Sequence, residues 1–142
     1  MGFEDKFYIQ GSVIEGRYLL EDIRRGRMGV VYLCVDVETD QPVAIKTFED
    51  RFLNTEENRR LFLDEAVMWI QLGRHPNIVR AFSIKIIDNK PHLLMERIIG
   101  PSVRGATLKD FLFSQAVTEQ QIIQIGIHIC NGMIHASKKF PS

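Results

Sequence analysis

The sequence has few of the features that mark disulfide-rich, membrane-spanning or nucleic-acid-binding proteins. Its 142 residues include two cysteines, Cys34 and Cys130, each in an apolar run, which suits reduced buried thiols better than a disulfide framework. The 18 basic and 18 acidic side chains give zero net charge, so no electrostatic argument favours nucleic acid or an acidic membrane as partner. No apolar run is long enough to span a bilayer, and the opening MGFEDKFYIQ is too polar and acidic for a signal peptide. We therefore expect a cytoplasmic protein without a membrane span in this chain.

What is present is the composition of a globular protein, with 45% apolar and 25% charged residues, in a length that suits one domain. The most informative stretch is IRRGRMGVVYLCVDVETDQPVAIK, residues 23–46. Gly26 and Gly29 allow a tight turn between two apolar-rich runs, and a second strand begins behind Pro42. Because alternate strand residues share a face, Ala44 and Lys46 point to one side. A small residue beside a lysine leaves room for a flat ring next to a cation.

Two other kinds of glycine-rich binding turn do not fit the residues around Gly26 and Gly29. A dinucleotide-binding turn would open a helix, but VVYLCVDV follows here and predicts a strand. The phosphate-binding pattern G-x-x-x-x-G-K-[ST] does not occur in the sequence. An ordinary hairpin with an exposed lysine and no ligand remains an open alternative for this stretch taken alone.

A helix is predicted over residues 54–72. Asn54 and Glu57 resemble a capping box, and Gly73 is a fitting end. One helical stripe, flanked by Phe62 and Trp69, contains Leu61, Glu65, Met68 and Leu72. A charge on an apolar face is costly without a partner, so Glu65 should meet a cation, unless it reaches water at the edge of that face.

The remaining chain predicts two strands, residues 78–87 and 92–98, and two helices. The first helix covers residues 107–113, and the second runs from a cap at Thr118, with Gln121 three residues on, to about Lys138. This last helix is apolar on two stripes, which predicts burial inside a larger structure. The spacing gives no support for zinc binding by His75, His128 or His135, and packed or edge positions are expected for the last two.

Several of these segments resemble the protein kinase family. Val43–Lys46 reads V-A-I-K, and residues 24–31 match its glycine-rich loop G-x-G-x-x-G-x-V at Gly26, Gly29 and Val31, with Arg24 in place of the first glycine. HPNIV at residues 75–79 and GVVY at residues 29–32 are similar to serine/threonine kinases of the bacterial kind. The resemblance implies an α+β fold, the kinase small lobe of five antiparallel strands and one helix, then a hinge and two helices of the large lobe. The implied organisation is a lead-in at 1–16, the small lobe at 17–99, a linker at 100–106 and an incomplete large lobe at 107–142.

The resemblance also implies a site for ATP with Mg²⁺ and transfer of phosphate to a protein hydroxyl. Lys46 would hold the α- and β-phosphates and Glu65 would hold Lys46, while Arg24 either meets a phosphate or is simply exposed. Met95 takes the gatekeeper place, and Glu96 to Ile98 offer backbone groups to the adenine edge. The full set implied for ATP binding is Ile23, Arg24, Gly26, Gly29, Val31, Ala44, Lys46, Met95, Glu96 and Ile98.

The family motifs H-R-D-x-x-x-x-N and D-F-G, which supply the catalytic base and the magnesium ligands, do not occur in these 142 residues. We therefore expect the front half of a kinase domain, with no metal ligand of its own, weak nucleotide binding and no activity as an isolated chain. The alternative is a non-catalytic half-domain that binds a partner through its final helix.

Overall fold

The computed structural model describes residues 8–27, 29–100 and 106–141, and these form two compact units. The first unit takes the chain up to Gly73 together with Arg80–Arg97, and the second takes Arg74–Val79 and the chain from Ile98 onward. The predicted lead-in lies outside the described residues at positions 1–7, and the predicted linker lies outside them at positions 101–105. No described helix is both long enough and apolar enough to cross a membrane.

The first unit is built on one antiparallel sheet. Its strands are β1 (Val13–Ile14), β2 (Tyr18–Arg25), β3 (Gly29–Asp36), β4 (Gln41–Phe48), β5 (Ala81–Ile87) and β6 (Lys90–Glu96), arranged in the order β1-β2-β3-β4-β6-β5. The predicted α+β class and small-lobe architecture are confirmed, with one more strand than expected. That strand, β1, has two residues and lies in the predicted lead-in, where backbone bonds of Gly11 and Ser12 to Leu20 hold it at the edge of β2. A two-residue strand is too short to give a periodic pattern.

Because alternate side chains of a strand point to the same face, one set of strand residues packs together as a core. β3 shows this most clearly, since every second residue from Val30 to Asp36 is buried. The core cluster contains Ile14, Tyr18, Leu20, Val30, Tyr32, Cys34, Val43, Ile45, Ile87 and Leu94. The predicted placement of Val43 and Ile45 on the face opposite Lys46 therefore corresponds to the packed side of β4.

Helix α1 (Glu56–Leu72) covers the other side of the sheet after a single 3₁₀ turn. The predicted cap was one residue early, because the Thr55 hydroxyl, not Asn54, accepts the backbone N–H of Asn58. The predicted buried stripe was also wrong, since Leu61 and Met68 are exposed. The helix instead packs through a neighbouring stripe, whose buried or partly buried members are Phe62, Leu63, Ala66, Trp69 and Ile70.

The second unit contains helices α2 (Leu108–Ser114) and α3 (Glu119–Lys139). The predicted capping box of Thr118 with Gln121 is confirmed, and Thr107 makes a second one with Asp110. α3 approaches the turn at residues 75–77, where a Cβ on Gly132 would lie 3.0 Å from the Asn77 carbonyl oxygen. Most apolar side chains of α3 are exposed in the described structure, among them Ile122, Ile123, Ile127, Ile129, Met133 and Ile134.

Candidate functional site

Strand register brings several of the predicted binding residues side by side. Val31 on β3 pairs with Lys46 on β4, and Ala44 on β4 pairs with Met95 on β6. Ala44 and Met95 are buried, whereas the Lys46 side chain is partly accessible. Ile23 is partly buried and packs against the core cluster. The pairing places a small residue and a methionine next to each other, with a cation two residues further along β4.

The glycine turn joins β2 to β3, and its second glycine lies against strand β4. The Gly26 N–H donates to the Gly29 carbonyl at 2.9 Å. A side chain at Gly29 would place its Cβ 2.6 Å from the Thr47 carbonyl oxygen and 3.0 Å from the Phe48 ring, whereas the nearest atom to a Cβ at Gly26 would be 3.8 Å away. Gly29 is therefore fixed by its packing against β4, whereas a side chain at Gly26 would make only an ordinary van der Waals contact.

Arg24, which stands in the place of a glycine in the family pattern, is 58% exposed in its side chain. Its Nη2 lies 2.8 Å from Oδ2 of Asp22, two residues earlier on the same strand. An ion pair this exposed is weak and easily exchanged for another anion. The arginine is thus placed at the surface near the turn and remains available to an anion that approaches there.

Lys46 and Glu65 approach each other, although not in the way that the sequence pattern predicted. The distance from Lys46 Nζ to Glu65 Oε1 is 3.9 Å, longer than a direct hydrogen bond. The glutamate side chain is 63% exposed and the lysine side chain 28% exposed. Glu65 therefore lies at the rim of the helix face, in contact with water, and the expected burial in an apolar stripe was wrong.

Two aromatic side chains at this site were not among the predicted site residues. Lys46 Nζ lies 5.4 Å from the centroid of the Trp69 ring and 6.0 Å from that of Phe48. Phe48 is two residues after Lys46 on the same strand, and Trp69 is one helical turn after Glu65. Both spacings are visible in the sequence, and they would have indicated these residues once Lys46 and Glu65 were taken to face each other.

The chain after β6 is held to the sheet by backbone and side-chain bonds. The Glu96 N–H donates to the Arg80 carbonyl at 2.8 Å, so any bond from Glu96 to an adenine edge would use its carbonyl. The Arg97 guanidinium donates to Glu21 and, at 3.1 Å, to the carbonyl of Cys34. Burial raises the pKa of the Cys34 thiol to about 12, so this cysteine stays protonated and inert at neutral pH. Ile98, the last predicted contact, belongs to the second unit.

These features together suit the binding of a polyanion with a flat ring. Lys46 is a partly exposed cation beside a glycine turn, which suits phosphate, and the small side chain of Ala44 on the same strand face suits a flat ring.

Comparison with known proteins agrees with this geometry. The model of the protein kinase domain matches residues 18–139. The serine/threonine-protein kinase PrkC of Bacillus subtilis is 33% identical over 128 residues, 89% of this chain and 19% of that protein. The serine/threonine-protein kinase pak-2 of Caenorhabditis elegans is 30% identical over 138 residues, 94% of this chain and 24% of that protein. The chain thus spans about a fifth to a quarter of these relatives.

Solved structures give the same fold. The crystal structure of the PknI kinase domain of Mycobacterium tuberculosis superposes with a TM-score of 0.67 at 18% identity. That match covers 94% of this chain and 53% of the solved one. At this identity the likeness is one of fold, and the chain corresponds to about half of the solved domain.

Proposed function

The chain belongs to the protein kinase domain family, and on that premise we propose that it is the ATP-binding portion of a cytoplasmic serine/threonine kinase. The observation that carries the proposal is the position of Lys46, 3.9 Å from Glu65 and one strand away from the glycine turn. The substrates in this proposal are Mg-ATP and a protein hydroxyl. Serine/threonine relatives over most of the chain support that class of substrate.

Several of the predicted residues have a role in this proposal that their chemistry can perform. Lys46 binds the α- and β-phosphates as a charged donor, and Glu65 limits where its ammonium can go. Gly26 allows the turn backbone to approach phosphate, because a ligand can occupy the space that a side chain would fill. Ala44 and Met95, paired across β4 and β6, contact the adenine ring, and the Glu96 carbonyl accepts from its amino group. Mg²⁺ supplies charge neutralisation on the phosphates, and we assign it no ligand from this chain.

The same proposal predicts that these 142 residues do not transfer phosphate by themselves. Phosphoryl transfer depends on a positioned base and on metal ions held against the γ-phosphate, and the motifs that supply both are absent from the sequence. A radiolabel assay with γ-labelled ATP and a generic protein substrate should give background counts. Transfer above background that Lys46→Ala abolishes would contradict this part of the proposal.

The binding role is tested by calorimetric or NMR titration of the whole 142-residue chain with Mg-ATP. We expect weak binding, with a Kd on the order of 1 mM, since only part of a kinase nucleotide site is present. Lys46→Met should weaken it by about tenfold or more, because a charge-assisted contact contributes about 1.5–3 kcal/mol. Lys85→Met is the matched control, because Lys85 also lies over an aromatic ring of the first unit, that of Tyr18. No response to Mg-ATP, or an equal loss in both variants, would overturn the proposal.

A kinase-like half-domain without catalysis is the second candidate function. The exposed apolar side chains of α3 favour it, because a contiguous apolar face of that kind is typical of a surface that another polypeptide covers. Sedimentation velocity on the chain separates the candidates. A concentration-independent monomer that binds Mg-ATP supports the first, and a stable oligomer without a nucleotide response supports the second.

A further inference from the structure

The lysine at the centre of the site has two kinds of neighbour, and they differ in how firmly they can hold it. Glu65 is 3.9 Å away, beyond hydrogen-bond distance, and most of its side chain is in water. Phe48 and Trp69, which we call the aromatic pair, lie at 6.0 Å and 5.4 Å from the same ammonium. Both distances fall within the range in which a cation is attracted to the face of a ring, and tryptophan gives the strongest such attraction.

The aromatic pair is itself fixed by packing. Phe48 stacks edge to face on the buried Phe62, with ring centroids 4.9 Å apart. Phe48 and Trp69 both pack against the cluster formed by Leu53, Phe62, Ala66, Ala81 and Leu93. The rings are therefore held in place by packing, whereas most of the Glu65 side chain is exposed to water.

We propose that Trp69, supported by Phe48, is the positioning residue for Lys46, and that this pair holds the ammonium where a phosphate group can meet it. The inference rests on the proposed function only for the identity of the phosphate ligand. A lysine stem has four rotatable bonds, and fixing them costs entropy at the moment of binding unless the ammonium is already held. The aromatic pair holds the cation without using its N–H donors on another acceptor, so those donors stay available to phosphate oxygens.

The test uses the full chain with lysines labelled with ¹³C at the ε-carbon. An ammonium above an aromatic face places its ε-methylene protons in the ring current, so the Lys46 resonance should lie upfield of ordinary lysines; Lys46→Met identifies it by its loss. Trp69→Met should return this resonance to the ordinary range, and Trp69→Phe, which restores a ring, should recover part of the shift. Lys85, 4.9 Å from the Tyr18 centroid, is the internal control and should stay upfield in every folded variant.

Titration with Mg-ATP gives the second measurement. We expect Trp69→Met to weaken binding by about two- to fivefold, the size of one cation–π contact, and Trp69→Phe to recover most of it. Glu65→Gln should change the Lys46 shift less than Trp69→Met does. In the wild-type chain the upfield shift should persist when Mg-ATP is bound.

Three results would overturn the inference: an ordinary Lys46 shift in the wild-type chain, a shift unchanged by Trp69→Met, or a shift erased by bound Mg-ATP. The last would mean that the rings compete with phosphate for the lysine. A wild-type chain that shows the shift and does not respond to Mg-ATP would overturn the proposed function and leave the positioning of Lys46 by Trp69 supported. The two failures are therefore distinguishable in one set of samples.

Discussion

The two glycines of the β2–β3 turn should respond in opposite ways to the same substitution. An alanine Cβ at Gly29 would lie 2.6 Å from the Thr47 carbonyl oxygen, a distance that real Cβ contacts do not show. That oxygen belongs to Thr47, which pairs with Val30 on β3 and whose hydroxyl donates to the Pro91 carbonyl at 2.8 Å, so it cannot move without disturbing both contacts. The Cβ at Gly26 would meet nothing closer than 3.8 Å, and Gly26 is not among the described glycines with positive φ.

These contacts set the magnitudes. Overpacking of a fixed site costs about 1–3 kcal/mol, while replacing glycine by alanine gains about 0.4–1 kcal/mol by restricting the unfolded chain. Gly29→Ala should therefore lower the free energy of unfolding by about 1–2 kcal/mol. Gly26→Ala should leave it unchanged or raise it by the smaller amount. With a urea m-value of about 2 kcal/mol per M, the two unfolding midpoints should differ by about 1 M.

Urea unfolding followed by tryptophan fluorescence makes the comparison direct. Trp69 is the single tryptophan of the sequence and lies in the same unit as both glycines. Equal midpoints for the two variants, or a lower midpoint for Gly26→Ala, would refute the assignment of Gly29 to strand packing. A separate role of Gly26 in phosphate binding would appear as a loss of Mg-ATP affinity at unchanged stability.

Other parts of the first unit give further expectations. Arg97→Ala should lower the free energy of unfolding by about 1–3 kcal/mol, which is more than Glu21→Ala should. The reason is that Arg97 also donates to the buried Cys34 carbonyl, while Glu21 is partly exposed. The urea midpoints of both variants check this order. Cys130 is exposed and Cys34 is buried with a raised pKa, so a thiol reagent should titrate one cysteine in the native chain and two in urea; two rapid native equivalents would contradict this. Hydrogen bonds from the Arg17 guanidinium hold the pKa of Asp36 well below its usual range. The contribution of ionised Asp36 to stability is therefore present above about pH 4 and is lost as the pH falls below that value. Between about pH 5 and pH 3 the urea midpoint should fall less for Asp36→Asn than for wild type.

Much of the fold is readable in the sequence because local rules and tertiary packing agree there. The β3 alternation and the capping box at Thr118 are local patterns that the tertiary structure preserves. Helix α1 shows where local rules stop. Both the stripe containing Leu61 and Met68 and the stripe containing Phe62 and Ala66 fit a helical period, and the sequence does not say which one meets the sheet. Strand β1 could not be predicted for another reason, since bonds to a neighbouring strand create it.

The candidate site also combines features that local sequence patterns predict with features that only tertiary packing determines. V-A-I-K is a local pattern, and its alternation places Ala44 and Lys46 on one face whatever the rest of the chain does. The choice of partner for Lys46 depends on which stripe of α1 meets the sheet. Choosing Glu65 as a buried charge used the wrong stripe, yet the packing of Phe62 and Ala66 still brings that residue to the rim near the lysine.

The same packing explains why the aromatic pair is the firmer partner of Lys46. Trp69 lies one helical turn beyond Glu65 and is therefore its neighbour on the surface of α1. Because α1 packs through the stripe that contains Trp69, the Trp69 ring is partly buried, while the Glu65 side chain is mostly exposed to water. Phe48 reaches the lysine because it is two residues along the same strand face. The cation thus meets two packed rings and one exposed carboxylate. From geometry alone, removing a ring should disturb the lysine more than neutralising the carboxylate does.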